Sequence, residues 1–140
     1  MAGLAVDRAP LSFLALPRRQ PQRHLLAFLA AVAAFAHVPV IAPHLDEAPY
    51  MGVLFILLTV GCLVLGLAAL VRDSSAVYTA SAVVCGLAVI GYVATRLVAF
   101  PMLSDDVGDW FEPLGVLSVL SESALVAVAI GALASRPRHR

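Results

Sequence analysis

Lysine and asparagine are both absent from the 140 residues, and charged side chains of every kind make up only 13%. A typical soluble domain carries about 25% charged residues. With 61% hydrophobic residues, a chain of this length lacks the polar side chains to cover a water-facing surface. The absences therefore exclude a water-soluble globule and make lipid the solvent for most of the chain. Both missing residue types use AT-rich codons, which points to a GC-rich source genome. Only two cysteines occur, Cys62 and Cys85, each inside an apolar run. No CxxC or Cys/His spacing for zinc is present, so they read as small packing residues. GxSxG, P-loop, HExxH and GxGxxG patterns are missing too, which weighs against the common enzyme classes.

What remains is four apolar stretches, about 25–42, 50–71, 76–100 and 113–134. A helix needs about 20 residues to cross a hydrocarbon core, and backbone groups in lipid must be satisfied within the segment. The expected fold is an all-α membrane protein, a four-transmembrane-helix antiparallel bundle. The connections Pro43–Pro49, Arg72–Ser75 and Pro101–Glu112 are too short for a soluble domain. Residues 1–24 read as a flexible basic tail that touches anionic lipid, and 135–140 as a second basic tail.

Charge sets the orientation. Arg8, Arg18, Arg19 and Arg23 precede the first span, Arg72 sits in the middle connection, and Arg136, Arg138 and Arg140 end the chain. With four spans all eight fall on one side, so the positive-inside rule places both termini in the cytoplasm of a cell membrane. The other side carries Asp46, Glu47, Asp105, Asp106, Asp109 and Glu112. Tyr50 and Trp110 are expected as aromatic anchors at the outer boundary and Tyr78 at the inner one. A signal peptide ending near Ala34 and Ala36 is the rival reading of the first span. Apolar character runs on through Val38, Val40 and Ile41, which favours a retained helix.

Helix starts are marked by Asp109 as a cap with Glu112 in a capping-box position before Pro113, by Asp46 or Glu47 before Pro49, and by Ser74. A weak internal repeat aligns Pro43-His-Leu-Asp, Glu47-Ala-Pro49 and Gly52-Val-Leu with Pro101-Met-Leu-Ser, Glu112-Pro113 and Gly115-Val-Leu. It suggests two tandem hairpins about an axis along the membrane normal, although these are also common helix-start residues.

Ionisable residues inside the spans carry the functional signal, because charge there is costly. His37 and Arg96 lie about 7 and 6 Å below the outer helix ends, and Glu122 about 15 Å down, near the bilayer centre. Glu122 shares a face with Ser118 and Gly115, and Arg96 a stripe with Tyr92 and Cys85. The candidate polar cluster is therefore His37, Tyr92, Arg96, Glu112, Ser118 and Glu122. Tyr92 is expected level with Glu122 as its hydrogen-bond donor, and Arg96 is expected to reach Glu112 or Glu122. Such a cluster serves either as polar glue between the last two spans or as a proton-carrying or ligand-facing site.

His37 and His44 are seven residues apart, a spacing that faces the same way on a continuous helix, although Pro39 and Pro43 are expected to disturb that register. With Asp46 and Glu47 they form a candidate set for copper or zinc. The competing reading is a cap for His44 and a hydrogen-bonded His37. The acidic residues 105, 106 and 109 lack the spacing of a calcium loop. His37 is the only histidine within a span, which weighs against haem.

The run His37-x6-His44-Leu-Asp-Glu-Ala-Pro-Tyr-Met-Gly-Val-Leu-Phe, with Arg96, Pro101 and Trp110-Phe-Glu-Pro-Leu-Gly, resembles a group of small four-span integral membrane proteins common in actinobacteria. The resemblance covers residues 25–134 and implies their fold without implying a chemistry. Function thus divides three ways. The first is a non-enzymatic accessory or assembly subunit of a membrane complex or homo-oligomer, helped by small residues Ala30, Ala34, Gly61 and Gly66. The second is metal-ion or proton-coupled transport or binding through the His/carboxylate pocket. The third is an intramembrane enzyme. Nucleic acid is not an expected partner.

Overall fold

The computed structural model describes residues 20–136. The first nineteen residues, with Arg8, Arg18 and Arg19, and residues 137–140, with Arg138, His139 and Arg140, lie outside them. Among the described residues the long helices are α1 (Gln20–Glu47), α2 (Pro49–Val71), α3 (Ser75–Leu97) and α4 (Pro113–Ala134). Each is long and apolar enough to cross a membrane, so the chain is a small integral membrane protein with an all-α, four-helix bundle. Both α1–α2 and α3–α4 are antiparallel hairpins. One end of the bundle is acidic, holding Asp46, Glu47 and residues 105–112. The opposite, basic end holds Arg23, Arg72 and Arg136.

The first connection differs most from expectation. Instead of breaking near Pro43, α1 runs through Pro39 and Pro43 to Glu47. A proline removes one intrahelical bond, but unwinding in lipid would strand several more backbone groups, so the helix persists. Ala48 alone joins α1 to α2: its N–H donates to the His44 carbonyl at 2.9 Å, and its carbonyl accepts from Met51 at 2.8 Å. Asp46 and Glu47 therefore belong to α1 and do not cap α2, whose start at Ala48 has no side-chain cap and relies on Pro49.

Ser74 caps α3 as expected, its Oγ accepting from the Val77 N–H at 3.3 Å. The third helix stops at Leu97, three residues early, because Pro101 biases Phe100 toward extended backbone. The cap of α4 is Glu112 rather than Asp109: Glu112 Oε2 accepts from the Gly115 N–H at 3.0 Å. Asp109 is spent inside the preceding turn, its N–H on the Asp106 carbonyl.

Packing between helices is uneven. The α1–α2 pair is the most intimate, α3–α4 and α1–α4 follow, and α2 barely meets α3. An axis relating the two hairpins would make α1–α4 and α2–α3 equivalent, so any such symmetry is broken at the α2–α3 side. Small residues explain the close pairs. A Cβ on Gly66 would sit 3.2 Å from the Ala30 Cβ, and one on Gly52 would sit 2.7 Å from the Leu45 backbone N. The small-residue faces at Ala30 and Gly66 are thus consumed within the bundle. Leu26, Ala33, Cys62, Tyr78, Leu125 and Ala129 complete a thin core. Tyr78 is 1% exposed beneath the Arg136 guanidinium, so it is a core residue and not a boundary anchor. Phe28, Phe35, Ile90 and Leu120 point outward as a hydrocarbon-facing belt.

Gly52→Ala is expected to destabilise the bundle by about 1–3 kcal/mol through overpacking against α1. Gly131→Ala, whose Cβ would meet open space, is expected to be neutral or stabilising, by up to about 1 kcal/mol from helix propensity. Thermal unfolding in detergent of the two variants checks the contrast.

Candidate functional site

Where α2 and α3 part, a cavity of about 750 Å³ opens between them and runs from the acidic end to mid-bundle. Its volume falls in the range of about 300–1,000 Å³ common for small-molecule sites. The walls are apolar: Leu54, Phe55, Leu57 and Leu58 from α2, and Val84, Leu87 and Ala88 from α3. Gly61 and Gly91 line it as well, and a Cβ on Gly91 would meet nothing within 4 Å. At Gly91 space that a closed helix pair would fill with side chains is left empty, whereas a Cβ on Gly61 would just reach Val84 Cγ1 at 4.0 Å.

Polar residues gather on the α1–α4 side, and every member of the cluster expected from sequence lines this cavity: His37, Tyr92, Arg96, Glu112, Ser118 and Glu122. The pairings of Glu122 and Tyr92 differ from expectation, whereas Arg96 with Glu112 is one of the two pairings expected for it. Glu122 faces α1, with its Oε1 3.6 Å from His37 Nε2. Ser118 Oγ lies 3.4 Å from the same nitrogen. His37 Nδ1 is committed to the Ala33 carbonyl at 2.7 Å, which fixes the ring and aims Nε2 into the cavity. Glu122 is only 1% exposed, and its Oε1 has no hydrogen-bond partner among the described residues. Tyr92 does not reach Glu122, because its hydroxyl donates to the Trp110 carbonyl at 3.0 Å.

At the acidic end Arg96 turns outward. Its Nη1 pairs with Asp106 Oδ2 at 3.0 Å, and its Nη2 lies 3.8 Å from Glu112 Oε2. The guanidinium also stacks on Tyr92, 4.6 Å from the ring centroid. The Arg96 carbonyl accepts from the Gly108 N–H at 3.0 Å, and the Tyr50 hydroxyl donates to the Pro101 carbonyl at 2.7 Å. Gly108 has φ +83°, a conformation suited to glycine. These bonds tie residues 98–112 down over the cavity mouth. Gly115 belongs to the same arrangement, since a Cβ there would strike Tyr92 at 2.6 Å.

Of the proposed metal set, His37, His44 and Glu47 line the cavity and Asp46 does not. Because α1 stays helical, the two imidazoles do face one way, and both meet the edge of Phe55. His44 Nδ1 is held by the Val40 carbonyl at 2.8 Å. Among the described residues no group of three or more His, Cys, Asp or Glu is placed to hold a metal ion. Cys62 and Cys85 are buried and free.

The apolar half of the cavity escaped the sequence reading. Its available signal was a pair of mid-span glycines, Gly61 and Gly91, together with Phe55 placed to meet both histidines. No family model, curated protein or solved structure matches the chain. Fold and site define the class: a four-helix integral membrane protein with a polar-floored cavity between its second and third helices.

Arg96→Leu leaves Asp106 and Glu112 without their shared cation and frees the mouth. Limited proteolysis should then cut between residues 104 and 110 several times faster than in the native chain. Arg96→Lys should fall in between, because a single ammonium matches two carboxylates less well than a fork of donors.

Proposed function

We propose that this chain is a small non-catalytic protein of the cell membrane, with both termini in the cytoplasm, that draws an amphiphile from the outer leaflet into the cavity between α2 and α3. The observation that carries this reading is the cavity itself: a polar floor and apolar walls, among them Leu54, Leu57 and Leu87 exposed on the outer surface, where α2 and α3 pack sparsely. A molecule entering sideways keeps its hydrocarbon among Leu54, Leu57 and Leu87 and its polar group near His37, Ser118 and Glu122.

Binding is favoured over catalysis by how the floor is wired. Ser118, His37 and Glu122 are the residue types of a nucleophile triad, yet Ser118 and Glu122 both face Nε2, while Nδ1 is spent on a backbone carbonyl. In a working triad the acid and the nucleophile occupy opposite nitrogens. Binding is also favoured over a purely accessory or assembly role. The exposed leucines and phenylalanines are what lipid alone requires, and the small residues suited to helix association at Ala30 and Gly66 already face each other. From the transport alternative, the reading keeps the His/carboxylate pocket as a binding element.

Filling the cavity tests the proposal. Gly91→Leu and Gly61→Leu add bulk at positions that line it and leave the polar floor residues themselves unchanged, and both favour the helix by roughly 1 kcal/mol. Gly86→Leu, which does not line the cavity, is the control. Native mass spectrometry of protein released from lipid nanodiscs should show a retained amphiphile in the native chain and in Gly86→Leu. Both filled variants should lose it. Equal retention in all four would overturn the reading.

A further inference from the structure

The polar groups of the cavity specify the head group of its ligand, an inference that rests on the binding reading above. Four carboxylates line it, Glu47, Asp106, Glu112 and Glu122, against one guanidinium. That guanidinium is spent on Asp106 and Glu112. Among the described residues Glu47 has no ion-pair cation within the cavity and Glu122 only the His37 imidazole at 3.6 Å, a cation only when protonated, so a phosphate or carboxylate head would find no fixed free cation to receive it. Anionic amphiphiles are disfavoured by Coulomb repulsion that low-dielectric walls strengthen.

The hydrogen-bond inventory points the same way. His37 Nε2 faces the cavity as an acceptor, because Nδ1 is the nitrogen that donates to Ala33. Glu122 Oε1 is an acceptor 99% shielded from solvent, without a partner, and its 3.6 Å separation from Nε2 exceeds a hydrogen bond. Buried polar atoms in native proteins are nearly always satisfied, so an orphan acceptor aimed into a cavity marks where a ligand donor sits. Glu122 is approached by His37 from α1 and by Ser118 on its own helix. Neither of these neighbours brings a fixed positive charge.

We propose that the cavity is a site for a lipophilic primary or secondary amine, its ammonium hydrogen-bonded to the orphan Oε1 of Glu122 and its hydrocarbon lying between α2 and α3. An ammonium supplies both the missing donor and the missing charge, and charge-assisted hydrogen bonds are roughly twice as strong as neutral ones.

Calorimetric titration of the full chain in nanodiscs, with empty nanodiscs as blank, separates the head groups. The probes are octylamine, octanol and octanoate, which share one hydrocarbon chain. Octylamine is expected to bind saturably and at least about tenfold more tightly than octanol, a difference of about 1.4 kcal/mol, while octanoate gives no saturable heat. Gly91→Leu should abolish octylamine binding by occlusion, and Glu122→Gln should weaken it by at least about tenfold. If Glu122→Gln does not fold, the ranking of the three probes on the native chain decides alone. Octanol matching octylamine, or octanoate binding best, with Gly91→Leu blocking either, overturns the amine assignment and leaves the cavity reading standing. Absence of saturable binding for every probe, together with no amphiphile retained on purification, removes both.

Discussion

Lipid offers no hydrogen bonds, and everything distinctive about this bundle follows from that constraint. A backbone in hydrocarbon must satisfy itself, which is why α1 stays helical across two prolines and why a single residue, Ala48, serves as both the end of one helix and the start of the next. The same constraint governs side chains. His37 secures its Nδ1 on its own helix, Tyr92 secures its hydroxyl on the Trp110 carbonyl, and Arg96 collects two carboxylates from the loop above it. Glu122 differs from these in being the most deeply buried carboxylate, and its Oε1, like the hydroxyls of Thr59, Tyr78 and Ser81, has no hydrogen-bond partner among the described residues.

Uneven helix packing turns this local oddity into a site. Alanine, glycine and cysteine let α1 approach α2 closely, and α4 closes against both α1 and α3. Gly61 and Gly91 do the reverse on the remaining side, leaving α2 and α3 apart over the stretch where Glu122, Ser118 and His37 form the floor. Glycine thus acts in two opposite ways in one small bundle. At positions 52, 66 and 115 it admits a neighbour, and at 61 and 91 it leaves room. The loop from Val98 to Glu112, latched by Arg96, Tyr50 and Tyr92, roofs the result at the acidic end.

Much of the architecture was legible because it depends on properties local to the sequence. Length and hydropathy located the spans, and α4 begins and ends where Pro113 and Ala134 suggested. Ser74 was readable as a cap because a hydroxyl before an apolar run has one common use. Membership of the polar cluster was readable too, since ionisable residues in apolar runs announce themselves. Of its internal pairing, only Arg96 with Glu112 was. Whether Glu122 meets Tyr92 or His37 depends on how α4 is rotated against α1 and α3, and spacing within one helix carries no information about rotation against another. Tyr78 was misplaced for the same reason: position near a helix end fixed its height but not its direction, and it points into the core. Pro39 and Pro43 misled because the cost of a proline in a helix is normally judged against water, which is not the competing environment here.

The proposed ligand site requires α2 and α3 to be held apart around a space with Glu122 at its floor. An experimental density map of the protein in a lipid nanodisc tests this most directly. It should show an elongated non-protein feature entering between Leu57 and Leu87 and ending beside the Glu122 carboxyl. Helices α2 and α3 packed against each other with interlocked leucines, and no space reaching Glu122, would contradict it.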